Sequence, residues 1–202
     1  MKKINLFIRI ILLLLGFIFL GFGAALLSEI GIGGDAVLVF EQGFARSLNI
    51  SLGESVIILS LILLILMFFL DRKMINIGTV AGILLIGPII NFFIGLDIIN
   101  KPSNLIIAII LNICACIITT FGIALYLYAK VGYTPFEGIL LIIKDRTKIS
   151  FRYIKIVNDA LLFIIGWLLG GDFGVGSIIT IFLFGPLIDF FVQLFKKTKL
   201  VT

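Results

Sequence analysis

"GTVAGILLIGPIINFF" (78–93) and "GSIITIFLFGPLIDFF" (176–191) align without a gap, and eight of their sixteen positions are identical. Thr79/Ser177 and Asn91/Asp189 are close substitutes within the same alignment. The match extends upstream, where "LGFGAALLSEIG" (20–31) aligns with "FGIALYLYAKVG" (121–132), and "IS" recurs at 50–51 and 149–150. The chain is therefore read as two copies of one unit, about 5–98 and about 104–196, inside a single membrane domain, 1–202. Each unit runs apolar span, short segment, span, Gly-Pro span.

Composition sets the class. Of 202 residues, 61% are hydrophobic and 13% charged, with mean hydropathy +1.31, against about 45–50% apolar and about 25% charged in soluble domains. Six stretches are long enough to be read as membrane-crossing helices: 8–27, 54–70, 76–96, 104–129, 153–169 and 175–195. The expected fold is all-α, polytopic, with six transmembrane helices. Three spans per unit is an odd number, so the second copy enters the bilayer from the opposite face. The units are then inverted three-helix repeats, a common plan of secondary transporters. The first span also carries signal-peptide features in Lys2, Lys3 and the small residues Gly23, Ala24 and Ala25. Its place in the repeat argues for a retained span.

The charges between spans alternate. Lys2, Lys3 and Arg9 precede the first span; Glu29, Asp35, Glu41 and Glu54 outnumber Arg46 in the next connection. Lys130, Lys144, Arg146, Lys148 and Arg152 outnumber Glu137 and Asp145 in the central one, and Lys196, Lys197 and Lys199 close the chain. This is the positive-inside pattern of a multi-pass plasma (inner) membrane protein with both termini cytoplasmic. The net charge of +5 is thus explained at membrane edges, and no nucleic-acid partner is expected. The lipid bilayer is the expected surrounding, with a small molecule or ion as substrate. A homodimer or a partner membrane protein remains open.

The chain has no His and only two Cys, Cys114 and Cys116, one residue apart. That spacing makes neither a disulfide framework nor a complete metal site. No cofactor, no metal and no catalytic residue are expected, and an enzyme has little to build on.

Pro88 and Pro186 each lie about 11 residues into their spans, roughly 16 Å at the helical rise. Both therefore fall near the middle of a hydrocarbon core about 30 Å thick. A proline removes one amide donor and frees the carbonyl four residues back, here those of Leu84 and Phe182. This points to a midplane substrate site from Leu84, Gly87, Pro88 and Asn91 in one half and Phe182, Gly185, Pro186 and Asp189 in the other. The bland alternative is a pair of kinks that help packing, with Gly78 and Gly82 as a small-residue face.

The short segments 31–49 and 132–148 open with turn residues and then run helically for about three turns. Each is expected to be a re-entrant or an interfacial helix. Asp35 is placed to cap the first, and Thr134, Pro135 and Glu137 form a capping-box pattern at the second. Asp35 and Glu137 are accordingly candidates for a gate or for capping alone. Lys155 and Asp159 stand one turn apart and are expected to form a buried ion pair.

"FIIGWLLGGDFGVGSIITIFLFGPL" (163–187) resembles the YczE/YitT-type family of bacterial integral membrane proteins. The resemblance is carried by Gly166 to Gly171, by Gly174-Val175-Gly176-Ser177 and by Gly185-Pro186, with "GIGGDAV" as the first short segment. Gly33-Gly34 stands where the family often has Gly-Pro, and Asp159 matches its acidic position in the fifth span. The resemblance implies a polytopic plasma-membrane protein and brings no substrate or catalytic residue with it. The expected function is a small transporter or permease-like protein. The alternative is a non-transporting binding or regulatory subunit acting with a partner protein.

Overall fold

The computed structural model describes residues 6–97 and 101–197. Lys2, Lys3 and Lys199, which bear on the orientation of the termini, lie outside these, as do the outermost residues of the first repeat. Eight α-helices follow in order: α1 Leu6–Ile30, α2 Ala36–Leu48, α3 Leu52–Leu70, α4 Ile77–Gly95, α5 Leu105–Ala129, α6 Pro135–Thr147, α7 Phe151–Leu168 and α8 Val175–Lys197. Five of them, α1, α3, α4, α5 and α8, are long and apolar enough to cross a membrane. α7 has 18 residues and carries Lys155 and Asp159, and it is not among those five.

Local chemistry explains the boundaries. α3 starts at a capping box: the Glu54 amide donates to Ser51 Oγ (3.2 Å) and the Ser51 amide donates to Glu54 Oε2 (2.8 Å). α4 starts at a second one, between Asn76 and Thr79. α2 and α6 are each 13 residues long, and both end in a left-handed residue, Asn49 (φ 55°) and Lys148 (φ 61°). α4 and α8 run through Pro88 and Pro186 without interruption. The Gly-Pro pairs therefore do not break their helices, since one missing amide leaves the bonds on either side in place.

α1 and α5 form the central pair. They meet at Gly16 and Gly122, where a methyl group on Gly122 would lie 2.4 Å from the Leu20 backbone nitrogen. Small residues bring the two backbones together, as membrane helix pairs require. α4 flanks α1 and α8 flanks α5, while α2 packs on α7 and α6 on α3. Leu13, Phe17, Leu27, Ile30 and Tyr126 fill the core around the central pair. Cys116 is buried there and Cys114 is exposed; both are free thiols.

The halves differ in one seam. α3 and α4 touch at Gly53 and Gly87, where a methyl group on Gly87 would sit 2.3 Å from the Gly53 carbonyl oxygen. α7 has no comparable packing on α8, and the space around Gly185 is open, with nothing within 4 Å of an added methyl group.

Candidate functional site

The chain leaves α1 through two left-handed glycines, Gly31 (φ 68°) and Gly33 (φ 101°). Polar groups of α5 and α8 then pin the turn. Asn112 Nδ2 donates to the Gly33 carbonyl (3.0 Å), Thr180 Oγ1 to the Gly34 carbonyl (3.0 Å) and the Gly176 amide to the Ile32 carbonyl (2.8 Å). The other half does the same with fewer bonds: Thr79 Oγ1, at the start of α4, donates to the Tyr133 carbonyl (2.9 Å). The first turn of each Gly-Pro helix thus holds the N-terminus of the opposite half's short helix.

The far ends of the short helices are tied outward. Arg46 donates to the Gly170 carbonyl and pairs with Asp172 (Nη2–Oδ2 2.7 Å). Arg146 donates to the Leu70 carbonyl at the end of α3. Arg146 satisfies a carbonyl that α3 leaves open at its C-terminal end, and Arg46 holds the turn that follows α7. α2 and α6 therefore both point their N-termini into the molecule.

Those N-termini share one cavity of about 100 Å³. Its walls are mid-helix residues, including Ala24 of α1, Ser60 of α3, Ile86 of α4, Thr119 of α5 and Phe184 of α8. Into it come Asp35, Glu41, Thr134 and Glu137. The expected side-chain caps do not form: neither Asp35 nor Thr134 accepts a capping hydrogen bond. Glu137 is not engaged in a capping box; its Oε2 is buried, as is the Tyr126 hydroxyl, and neither has a hydrogen-bond partner. Glu41 is 7% exposed, and among the described residues its carboxylate accepts no hydrogen bond.

Burial sets the protonation of this group. It raises Asp35 to about 6, with Lys155 opposing the rise and Asp159 adding to it. Burial holds Glu41 well above the usual carboxylate range, reinforced by Asp35 and Glu137. Glu137 is raised by burial too. Three carboxyl groups gathered at one partly enclosed cavity cannot all ionise cheaply. The positive ends of two helix dipoles favour those that do. The interior therefore gathers carboxyl groups whose charged form burial disfavours. Among the described residues no three acidic, His or Cys side chains lie close enough to share a metal ion.

A second chamber of about 450 Å³ lies in the open seam between α7 and α8, lined by Lys155, Asp159, Phe163, Thr180, Phe182, Gly185 and Pro186. Asp35 and Phe184 line both chambers. The expected Lys155–Asp159 pair forms on this wall (Nζ–Oδ2 2.9 Å), but it is not buried: the side chains are 45% and 28% exposed. The reason is that α8 does not cover this face of α7.

The structure distributes the sequence candidates over different places. Leu84 and Pro88 lie exposed on the outer surface of α4. Gly87 is buried at the α3 crossing. Asn91 accepts from the Gly53 amide (2.8 Å) and donates to Ser51 Oγ (2.9 Å). None of these four lines the interior cavity. Phe182, Gly185 and Pro186 line the groove, and Asp189 is exposed one turn further on. Asp35 and Glu137, by contrast, are brought together at the cavity. Sequence reasoning missed Glu41, Tyr126, Asn112, Thr180 and the two arginine ties. The signal for Glu41, Asn112 and Thr180 was present, because each is polar within an apolar helix.

The sequence pattern of a family described as of unknown function, DUF6198, matches residues 7–193. An uncharacterised protein of Haemophilus influenzae is 26% identical over 188 residues, 92% of this chain and 84% of the relative. YyaS of Bacillus subtilis, also uncharacterised, is 28% identical over 188 residues, 91% of this chain and 92% of the relative. The uncharacterised membrane protein YczE of Bacillus subtilis is 24% identical over 181 residues, 87% of this chain and 81% of the relative. The resemblance to YczE-type membrane proteins is thereby borne out. No solved structure matches.

Proposed function

This chain belongs to the DUF6198 family and is a multi-pass membrane protein, and from that premise we propose that it is a small proton-coupled transporter. The observation that carries this reading is the shared cavity: the N-termini of α2 and α6 meet there with Asp35, Glu41 and Glu137 at mid-helix depth. Intramembrane carboxylates are costly and mark ion or substrate routes.

The reading includes six spans in two inverted halves, with α7 as the sixth. Its support is the repeated sequence and the repeated pairing, in which α1–α4 answers α5–α8 and α2–α7 answers α6–α3. Lys155 and Asp159 pair with each other, which lowers the cost of placing α7 at membrane depth. The closed α3–α4 seam and the open α7–α8 seam then correspond to two positions of one gate, with the cavity reached from one side. In this arrangement α2 and α6 are re-entrant, and both termini are on the cytoplasmic face of the plasma membrane.

The test is flux. Purified protein is placed in liposomes that enclose a pH-sensitive dye, and small inorganic and organic cations are added in turn. At least one is expected to change the internal pH in wild-type vesicles, and the response should vanish with Asp35→Asn. Silence toward every cation, with a second membrane protein copurifying in fixed ratio, would replace this reading by that of a regulatory subunit.

A further inference from the structure

Resting on that site, and naming its ligand class, we propose that cavity and groove together bind an amphipathic primary ammonium ion. The head group sits beside Asp35 and Glu41, and the apolar tail lies along Phe163 and Phe182 in the α7–α8 seam. Four observations lead there.

First, the two chambers differ in size and character. The inner one, about 100 Å³, accommodates a small polar head, and the outer one, about 450 Å³, accommodates a chain. Small-molecule sites usually span about 300–1,000 Å³ and are mostly apolar with a few placed polar groups. Second, Asp35 and Phe184 belong to both linings, so one elongated ligand can touch the two chambers at once. Third, the head-group chamber is acidic, lined by Asp35, Glu41 and Glu137, and the buried Glu137 Oε2 has no hydrogen-bond partner among the described residues. A buried acceptor left without a donor invites one, and an ammonium supplies three N–H donors. Fourth, the positive charge of Lys155 in the groove is engaged by Asp159. Among the described residues this leaves no free cation there for an anionic ligand, while the aromatic walls suit an alkyl chain and tolerate a cation.

The charged and titratable groups facing Asp35 are Lys155 and Asp159 of α7, Glu41 on its own helix, Glu137 of α6 and the Cys116 thiol of α5. The ammonium binds best to an ionised Asp35. Binding below neutral pH therefore displaces a proton: the neutral carboxyl loses H⁺ to solvent and the carboxylate pairs with the incoming cation.

The experiment adds n-hexylammonium chloride to the detergent-solubilised full chain in weak buffer at pH 6, and follows proton release with an indicator and binding by calorimetry. Saturable binding with proton release is expected, with none for n-hexanol, which has the same tail and no charge. Asp35→Asn should lose the release and weaken binding at least about tenfold, roughly 1.4 kcal/mol, while Asp35→Glu retains both and shows that the variant fold is sound. Phe182→Ala should weaken n-hexylammonium and spare methylammonium. No wild-type binding, equal binding of n-hexanol, or unchanged release in Asp35→Asn would overturn the inference. Binding and release without vesicle flux would keep this inference and overturn transport. Flux of an inorganic cation without n-hexylammonium binding would do the reverse.

Discussion

Asn91 ties α4 to the first turn of α3 through the Gly53 amide and Ser51 Oγ. Its repeat counterpart, Asp189, is exposed and makes no hydrogen bond or ion pair among the described residues. Asn91→Ala leaves the buried Gly53 amide without its acceptor, and chemical denaturation should show a loss of about 1–3 kcal/mol. Asp189→Ala should stay within about 0.5 kcal/mol in the same assay. Asp35 yields a pH prediction. Burial raises its carboxyl to about 6 in the folded protein from the ordinary aspartate value of 3.8, so across that window the native state holds more protons than the unfolded one. Stability then falls as pH rises through the window. Wild-type protein should lose on the order of 2 kcal/mol relative to Asp35→Asn between pH 4 and pH 7, read as diverging melting curves. An Asp35→Asn curve parallel to wild type would show that this carboxyl is solvated.

At the scale of elements, the two Gly-Pro helices share a motif and differ in neighbours. A methyl group on Gly87 meets the Gly53 carbonyl, and the same group on Gly185 meets nothing. Gly87→Ala should therefore cost about 1–3 kcal/mol through overpacking at the α3–α4 crossing. Gly185→Ala should be neutral or stabilise by roughly 0.5–1 kcal/mol through helix propensity. Thermal unfolding in detergent compares the pair directly, and equal losses would mean that α7 and α8 pack as closely as α3 and α4. The short helices show a parallel logic. Arg46 and Arg146 sit in the last turns of α2 and α6 and fasten them to chain ends of the opposite half. The N-termini, free of side-chain caps, face the cavity.

For the whole molecule, the decisive quantity is the side of the membrane each short helix faces at its C-terminal end. Ser47 and Lys144 are exposed near those ends. With Cys114 and Cys116 replaced by Ala, single Ser47→Cys and Lys144→Cys variants are labelled in intact cells with an impermeant thiol reagent. Ser47→Cys should label at once, and Lys144→Cys only after lysis. Labelling of both from one side would mean that one of α3, α4 and α5 does not cross, and would make the halves parallel.

Much was legible in the chain itself. Helix formation and membrane residence follow from composition and period, because a bilayer leaves a spanning backbone no partner but its own helix. The repeat was readable as identity between 78–93 and 176–191, and the short helices from their turn residues and length. Asp35 and Glu137 were legible as candidates because a carboxylate near an apolar helix start needs a reason. What the sequence could not supply was which polar groups face one another. Glu41 and Glu137 are 96 positions apart and meet only because Asn112, Thr180 and Thr79 fix two turns from the opposite half. The Gly-Pro pairs misled for the same reason. A motif specifies what its own backbone can do, and the depth at which Pro88 sits says nothing about the direction it faces. That direction was decided by the closest approach of neighbouring helices, at Gly16–Gly122 and Gly53–Gly87, where the absence of a side chain sets the geometry of every residue around it.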